Sequence, residues 1–99
     1  MYGKSFFVYI LTNKKNGVLY IGMTNSLIRR IQQHKSKEIE GFSKRYNLTK
    51  LVYYQIIDDV RSAITREKQM QAWKRQWKIE LIEKENPEWK DLYDKILKS

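Results

Sequence analysis

Arg30 and His34 stand one helical turn apart in a segment, Leu27 to Lys37, whose Leu27, Ile28 and Ile31 form an apolar stripe. Both fall on one edge of that stripe while Arg29 points away, so Arg30 is the arginine that faces the sheet. A guanidinium and an imidazole at the border of a core face can serve a bound phosphate, the first through its planar fork, the second as donor or proton carrier. The plainer alternative has Arg30 snorkelling past the core and His34 capping its edge.

Glu67 is the sharper anomaly. On a helix expected from Val60 to Lys78, the apolar positions Val60, Ala63, Ile64, Met70 and Trp77 place Glu67 near the centre of their stripe. A carboxylate buried there needs a cation, a metal ion or a hydrogen-bond network, because an unpaired one costs several kcal/mol or takes up a proton. Lys74, further along the same face, is the structural partner; Mg²⁺ is the chemical one, since it keeps most of its waters and takes one or two carboxylates beside phosphate oxygens.

Tyr9 and Tyr20 each lie in a β-rich segment, where a tyrosine offers a ring to the sheet and a hydroxyl to its surface. Taken alone, both read as packing.

The elements that position these residues follow from local pattern. Phe6 to Thr12 is aromatic and β-branched, Asn13 to Gly17 is turn chemistry and Val18 to Gly22 resumes the strand, which predicts a hairpin. Thr24, Asn25 and Ser26 offer capping oxygens to the helix that starts at Leu27. Glu38 to Lys50 has no clear period and reads as an irregular connection, Leu51 to Ile57 as a third strand, and Asp58 and Asp59 as a helix start. Asn86-Pro87-Glu88 reads as the opening of a last helix through about Leu97. The order β-β-α-β-α-α predicts an α+β fold, a small three-stranded antiparallel sheet flanked by helices, with residues 1–99 forming a single domain.

Composition narrows the partner. Twenty Lys and Arg against eleven Asp and Glu leave a formal charge of +9, which suits a polyanion, with nucleic acid the leading candidate. The 41% hydrophobic and 13% aromatic content argues against disorder. With no cysteine, disulfides and thiolate metal sites are excluded. The apolar run Phe6 to Leu11 is far short of the roughly 20 residues of a membrane helix, and no cleavage-like segment follows it, so the expected location is the cytoplasm. No Gly-rich phosphate loop, HExxH or nucleophile elbow occurs.

In order and spacing, Val8-Tyr9-Ile10, Tyr20-Ile21-Gly22, Arg30, His34 and a helical Glu67 resemble the GIY-YIG endonuclease superfamily, in its small stand-alone UPF0213-like form. The resemblance runs from about Phe6 to Glu67, and the later tryptophans and Asn86-Pro87-Glu88-Trp89 also look like the stand-alone members. Two positions depart from the pattern: Val8 replaces the first motif's glycine, and Met23 stands where some relatives carry lysine.

The resemblance implies a metal-dependent DNA endonuclease in repair or recombination. It makes Glu67 the ligand of one Mg²⁺ or Mn²⁺ on the scissile phosphate and Tyr20 the group that helps activate water. Arg30 would stabilise the charged phosphate, and Tyr9 with His34 would position water or relay protons. Asn86 matches an asparagine of some relatives, but its place before Pro87 is explained by capping. Lys35, Lys37, Lys44, Arg45, Lys74 and Arg75 are the expected phosphate contacts, with target specificity left to a partner protein. Two other readings fit the same residues: a DNA-binding accessory module that cleaves weakly or not at all, and a protein-interaction domain that docks through exposed tryptophans.

Overall fold

The computed structural model describes residues 5–98. Three strands, β1 (Phe6–Thr12), β2 (Leu19–Thr24) and β3 (Lys50–Ile57), form an antiparallel sheet in the order β2-β1-β3. Among the described residues five helices accompany the sheet: α1 (Leu27–Lys35), α2 (Phe42–Arg45), α3 (Val60–Ala72), α4 (Arg75–Glu85) and α5 (Tyr93–Lys98). The class and the sheet are as the sequence predicts, while the order gains two helices, one in the 38–50 connection and one by division of the long helix. No helix among the described residues is long and apolar enough to cross a membrane.

The hairpin turn is built by its own side chains. Asn13 Oδ1 accepts the Val18 N–H at 3.0 Å, Gly17 N donates to Lys14 O at 2.8 Å, and Asn16 adopts φ 59°. A Cβ on Gly17 would come within 2.0 Å of Asn13 Oδ1, so glycine is required there.

Alternation along β1 sends side chains to two separate cores. Val8 and Ile10 join Ile21, Val52, Tyr53, Ala63, Met70, Ile82 and Trp89 on the α3–α4 side. Tyr9 and Leu11 join Leu27, Ile31, Leu48, Leu51 and Ile96 on the α1–α5 side. The β1–β3 register slips at Ile10/Leu11, with Ile10 opposite Tyr53 and Leu11 opposite Leu51. The extra residue, Val52, shares the α3 side with its neighbour Tyr53.

Asp59 caps α3 as its sequence position predicts: Oδ1 accepts the Ser62 N–H at 3.0 Å, and the Ser62 side chain, followed by that N–H, holds its carboxyl below the usual range. The expected single helix from Val60 to Lys78 is instead two, because Trp73 (ψ 150°) and Lys74 (ψ 147°) are extended. The reason is geometric. Thirteen helical residues already span about 20 Å, close to the length of a strand of this sheet. A straight continuation would carry Ile82 off the core, whereas the corner returns it there fully buried.

The reading of Asn86-Pro87-Glu88 as a helix start is also corrected. Asn86 ends α4, and its buried amide donates to Val52 O at 3.1 Å and Lys90 O at 2.9 Å while Oδ1 accepts Lys90 N–H at 3.0 Å. Pro87 and Glu88 lie in the turn that follows, which sends the Trp89 indole into the core with its N–H on Glu83 Oε2 at 2.8 Å. The last helix opens only at Tyr93, after Asp91 Oδ1 has accepted N–H groups from both Leu51 and Tyr93.

Candidate active site

The α1 stripe docks Leu27 and Ile31 onto the sheet and leaves His34 buried at its last turn, Arg30 partly buried and Arg29 exposed. Tyr9, pointing to the same side from the central strand, is fully buried, and its hydroxyl lies 2.9 Å from His34 Nε2. The other ring nitrogen, Nδ1, lies 2.9 Å from the Oγ of buried Ser43 on α2. The result is a continuous hydrogen-bonded chain from Tyr9 through His34 to Ser43, with no buried polar side-chain atom left unpartnered among the described residues.

Tyr20, partly buried, completes the cluster, its ring centroid 6.3 Å from that of Tyr9 and 5.6 Å from His34. Gly22 makes this arrangement possible. It pairs with Tyr9 across the β1–β2 ladder, and a Cβ there would lie 2.5 Å from both Cζ and Oη of Tyr9 and 3.0 Å from the Tyr20 ring. The phenol head of Tyr9 occupies the space that any larger residue would fill.

Burial sets the protonation states. It pushes the Tyr9 phenol far above its ordinary range, Tyr20 adds to the rise, Arg30 opposes it by charge and hydrogen bonding, and Glu67 raises it slightly. Burial and then the Arg30 charge pull His34 down to about 4, so both Tyr9 and His34 are neutral at pH 7. Arginine acts on Tyr9 in the direction expected of a cation near a phenol, but desolvation outweighs it. Tyr20, at the accessible side of the cluster, is therefore the hydroxyl better placed to meet a substrate.

Glu67 is partly buried on α3, and the apolar stripe expected around it is looser than the sequence implies, with Val60, Ile64 and Trp77 all exposed. Lys74 is not its partner: Lys74 caps α4 with its ammonium 5.9 Å from the Trp77 ring centroid, and Glu67 forms no ion pair among the described residues. Its Oε2 instead accepts from Gln71 Nε2 at 3.5 Å, and that amide also reaches Ile21 O on β2 at 3.5 Å. Glu67 thus stands toward the β2 side, where its charge is felt at Tyr9.

No group of three or more His, Cys, Asp or Glu able to hold a metal occurs among the described residues. A caged transition metal does not suit this donor set. A hydrated Mg²⁺ or Mn²⁺ does, because such an ion is satisfied by one carboxylate, waters and phosphate oxygens. Beside Arg30 opens a polar pocket of about 190 Å³ formed with Thr24, Asn25, Ser26, Arg29 and Gln33.

The expected phosphate contacts divide into two groups. Lys37, Lys44 and Arg45 are exposed around α2, although Lys44 pairs with Glu40 at 2.8 Å. Lys35 is occupied by Thr49 O at 2.9 Å, by the Asp91 carboxylate and by the Tyr93 ring. Arg75 is likewise occupied, its Nη2 donating to Asn16 O and Gly17 O at 2.7 Å each and tying α4 to the hairpin turn. Ser43 is the member of the cluster that sequence reasoning missed, since its segment has no periodicity to show that it points inward.

A family model described as the GIY-YIG catalytic domain matches residues 5–80. A UPF0213 protein of Syntrophus aciditrophicus is 34% identical over 83 residues, covering 83% of this chain and 93% of that protein. A second, from Clostridium perfringens, is 34% identical over 76 residues, covering 77% and 81%. The solution NMR structure of a UPF0213 protein from Bacillus halodurans shares the fold, with a TM-score of 0.55 and 24% identity over 88% of this chain and 92% of that one. On these matches, and with the tyrosines, arginine, histidine and glutamate of the motif in one region of the fold, the chain belongs to the GIY-YIG nuclease superfamily, alongside the UPF0213 proteins.

Proposed function

We propose that this protein is a metal-dependent endonuclease that hydrolyses phosphodiester bonds in DNA, in repair or recombination, with one Mg²⁺ or Mn²⁺ held by Glu67. The observation that carries the reading is the convergence of separate elements on the Tyr9 hydroxyl: His34 bonds it, the Gly22 hollow admits it, and Arg30 and Glu67 both act on it electrostatically. A set of buried neutral donors flanked by one cation and one carboxylate outside any ion pair among the described residues is suited to an anionic ester that gains charge as it reacts.

Within this reading Arg30 binds the phosphate and meets its developing charge, and Tyr20 helps activate the attacking water by hydrogen bonding. Tyr9 fixes the water's position by hydrogen bonding, and His34 acts through it by holding the Tyr9 hydroxyl. A divalent ion on Glu67, when bound, supplies a Lewis acid for the phosphate oxygen. Lys37, Lys44, Arg45 and Lys74 contribute phosphate contacts, Lys35 and Arg75 contribute less because their present partners hold them, and a partner protein supplies target specificity.

Nicking of supercoiled, linear, single-stranded and branched DNA with Mg²⁺ or Mn²⁺ tests this, comparing the wild type with Glu67→Ala and Arg30→Ala proteins shown to be folded by circular dichroism. Each variant should lose on the order of a hundredfold or more in rate. Equal cleavage by all three proteins would assign the activity to a contaminant. Metal-dependent DNA binding without any product would move the protein to the accessory-module reading.

A further inference from the structure

The corner between α3 and α4 carries two indole rings that the proposed cleavage chemistry does not use. Trp77 is 50% exposed, while Trp89 is fully buried and Trp73 packs against the α3-side core. The two corner indoles meet edge to face, with centroids 6.3 Å apart and planes at 78°, so the inner ring holds the outer one in place. An open groove of about 430 Å³ runs beside them, lined also by Leu81, Glu80 and Lys84.

Cations frame these rings. Arg66 lies 4.9 Å from the Trp73 centroid and Lys74 lies 5.9 Å from that of Trp77. Lys78 follows Trp77 directly, and partial burial and then the Arg75 charge hold its ammonium below the usual lysine range. Positive charge is crowded at this corner, and an anion would relieve it.

Charge and ring together select among ligands. An apolar protein segment would use the indoles and gain nothing from the ammonium groups. An unpaired nucleotide uses both, its base lying on the ring and its phosphates on the cations, whereas the bases of an intact duplex are already stacked on each other. The corner also adjoins the candidate active site: Lys78 Nζ donates to Gln71 O at 3.2 Å, and the Gln71 amide reaches Glu67.

We infer that Trp77 is a stacking platform for an unpaired base, with Lys74 and Lys84 holding the flanking phosphates. The inference rests on the DNA-processing reading above and adds a binding surface at the α3–α4 corner to it.

Binding of the full chain to a labelled oligo-dT and to a blunt duplex of equal length, in EDTA at low salt, tests it. On oligo-dT, Trp77→Ala should bind on the order of tenfold more weakly and Trp77→Phe should keep most of the affinity, while the duplex changes by less than about twofold. Lys84→Glu should weaken oligo-dT binding without touching the core, and the wild-type tryptophan emission should be quenched by oligo-dT. Unchanged oligo-dT binding by Trp77→Ala overturns the inference, as does an equal loss on both ligands. A wild type that binds no nucleic acid also overturns it and gives the surface to a protein partner. The nicking assay separates the two ideas: cleavage with no Trp77 effect keeps the nuclease and removes the platform, while Trp77-dependent binding with no cleavage does the reverse.

Discussion

Under α3 and α4 the sheet presents Val8, Ile10, Ile21 and Val52 to Ala63, Met70, Ile82 and Trp89, and the Trp89 indole N–H is satisfied at the margin by Glu83. Under α1 the same strands present Tyr9, Leu11 and Leu51 to Leu27 and Ile31, but there the packing also contains His34 and Ser43. The first face is held mainly by apolar contact, with directed bonds from Asn86 to Val52 O and from Trp89 to Glu83 at the α4 end. The second is held partly by two directed bonds of 2.9 Å, which tolerate little displacement. Tyr9, Arg30 and His34 of the motif sit on the face whose core is itself oriented, while Glu67 stands on α3.

The contrast can be broken from either side. Met70→Ala, in the apolar face, should have the largest effect on stability, about 2–5 kcal/mol in denaturant melts. Below its new melting range the variant should still nick DNA; loss of cleavage in the folded protein would mean the faces are not separable.

Acid should act on the other face. The unfolded chain protonates His34 near pH 6.5 and the folded chain only near about 4, so between these values the unfolded state binds the extra proton. Stability from this group is full above pH 6.5 and falls as pH drops through that window, by about 3 kcal/mol in all. His34→Gln should flatten the dependence, and an unchanged pH profile in that variant would remove His34 as its source.

Gly22→Ala should cost roughly 1–3 kcal/mol by overpacking, because its Cβ meets the Tyr9 phenol at 2.5 Å. By moving that hydroxyl it should also slow nicking on the order of a hundredfold. Wild-type nicking by a folded Gly22→Ala protein would show that the Tyr9 position is not critical. Ser43→Ala should be the mildest, about 1 kcal/mol, and a double-mutant cycle with His34→Gln should show coupling between the pair. Strict additivity there would reduce the Ser43–His34 contact to coincidence.

Much of this was legible in the chain because the signals are local. The hairpin follows from Asn13 to Gly17 between two β-rich runs, the α3 start from Asp59, and the inward Arg30 and His34 from one apolar stripe. The break at Trp73-Lys74 has no glycine or proline to announce it and is imposed by the length of the sheet. Asn86-Pro87 fits a helix start as well as a helix end, and only the distant Val52 carbonyl decides between them. Lys35 and Arg75 looked free because their partners lie 56 and 58 to 59 positions away in sequence.

Each member of the Tyr9–His34–Ser43 series can both give and take a hydrogen, so the series has two polarities. In one, the phenol donates inward and the serine receives; in the other, the serine donates and the phenol receives. Reversal moves a hydrogen through each bond in turn and leaves every heavy atom in place. A proton accepted at the serine end can then be matched by one released at the phenol end, with the same net charge buried between them before and after.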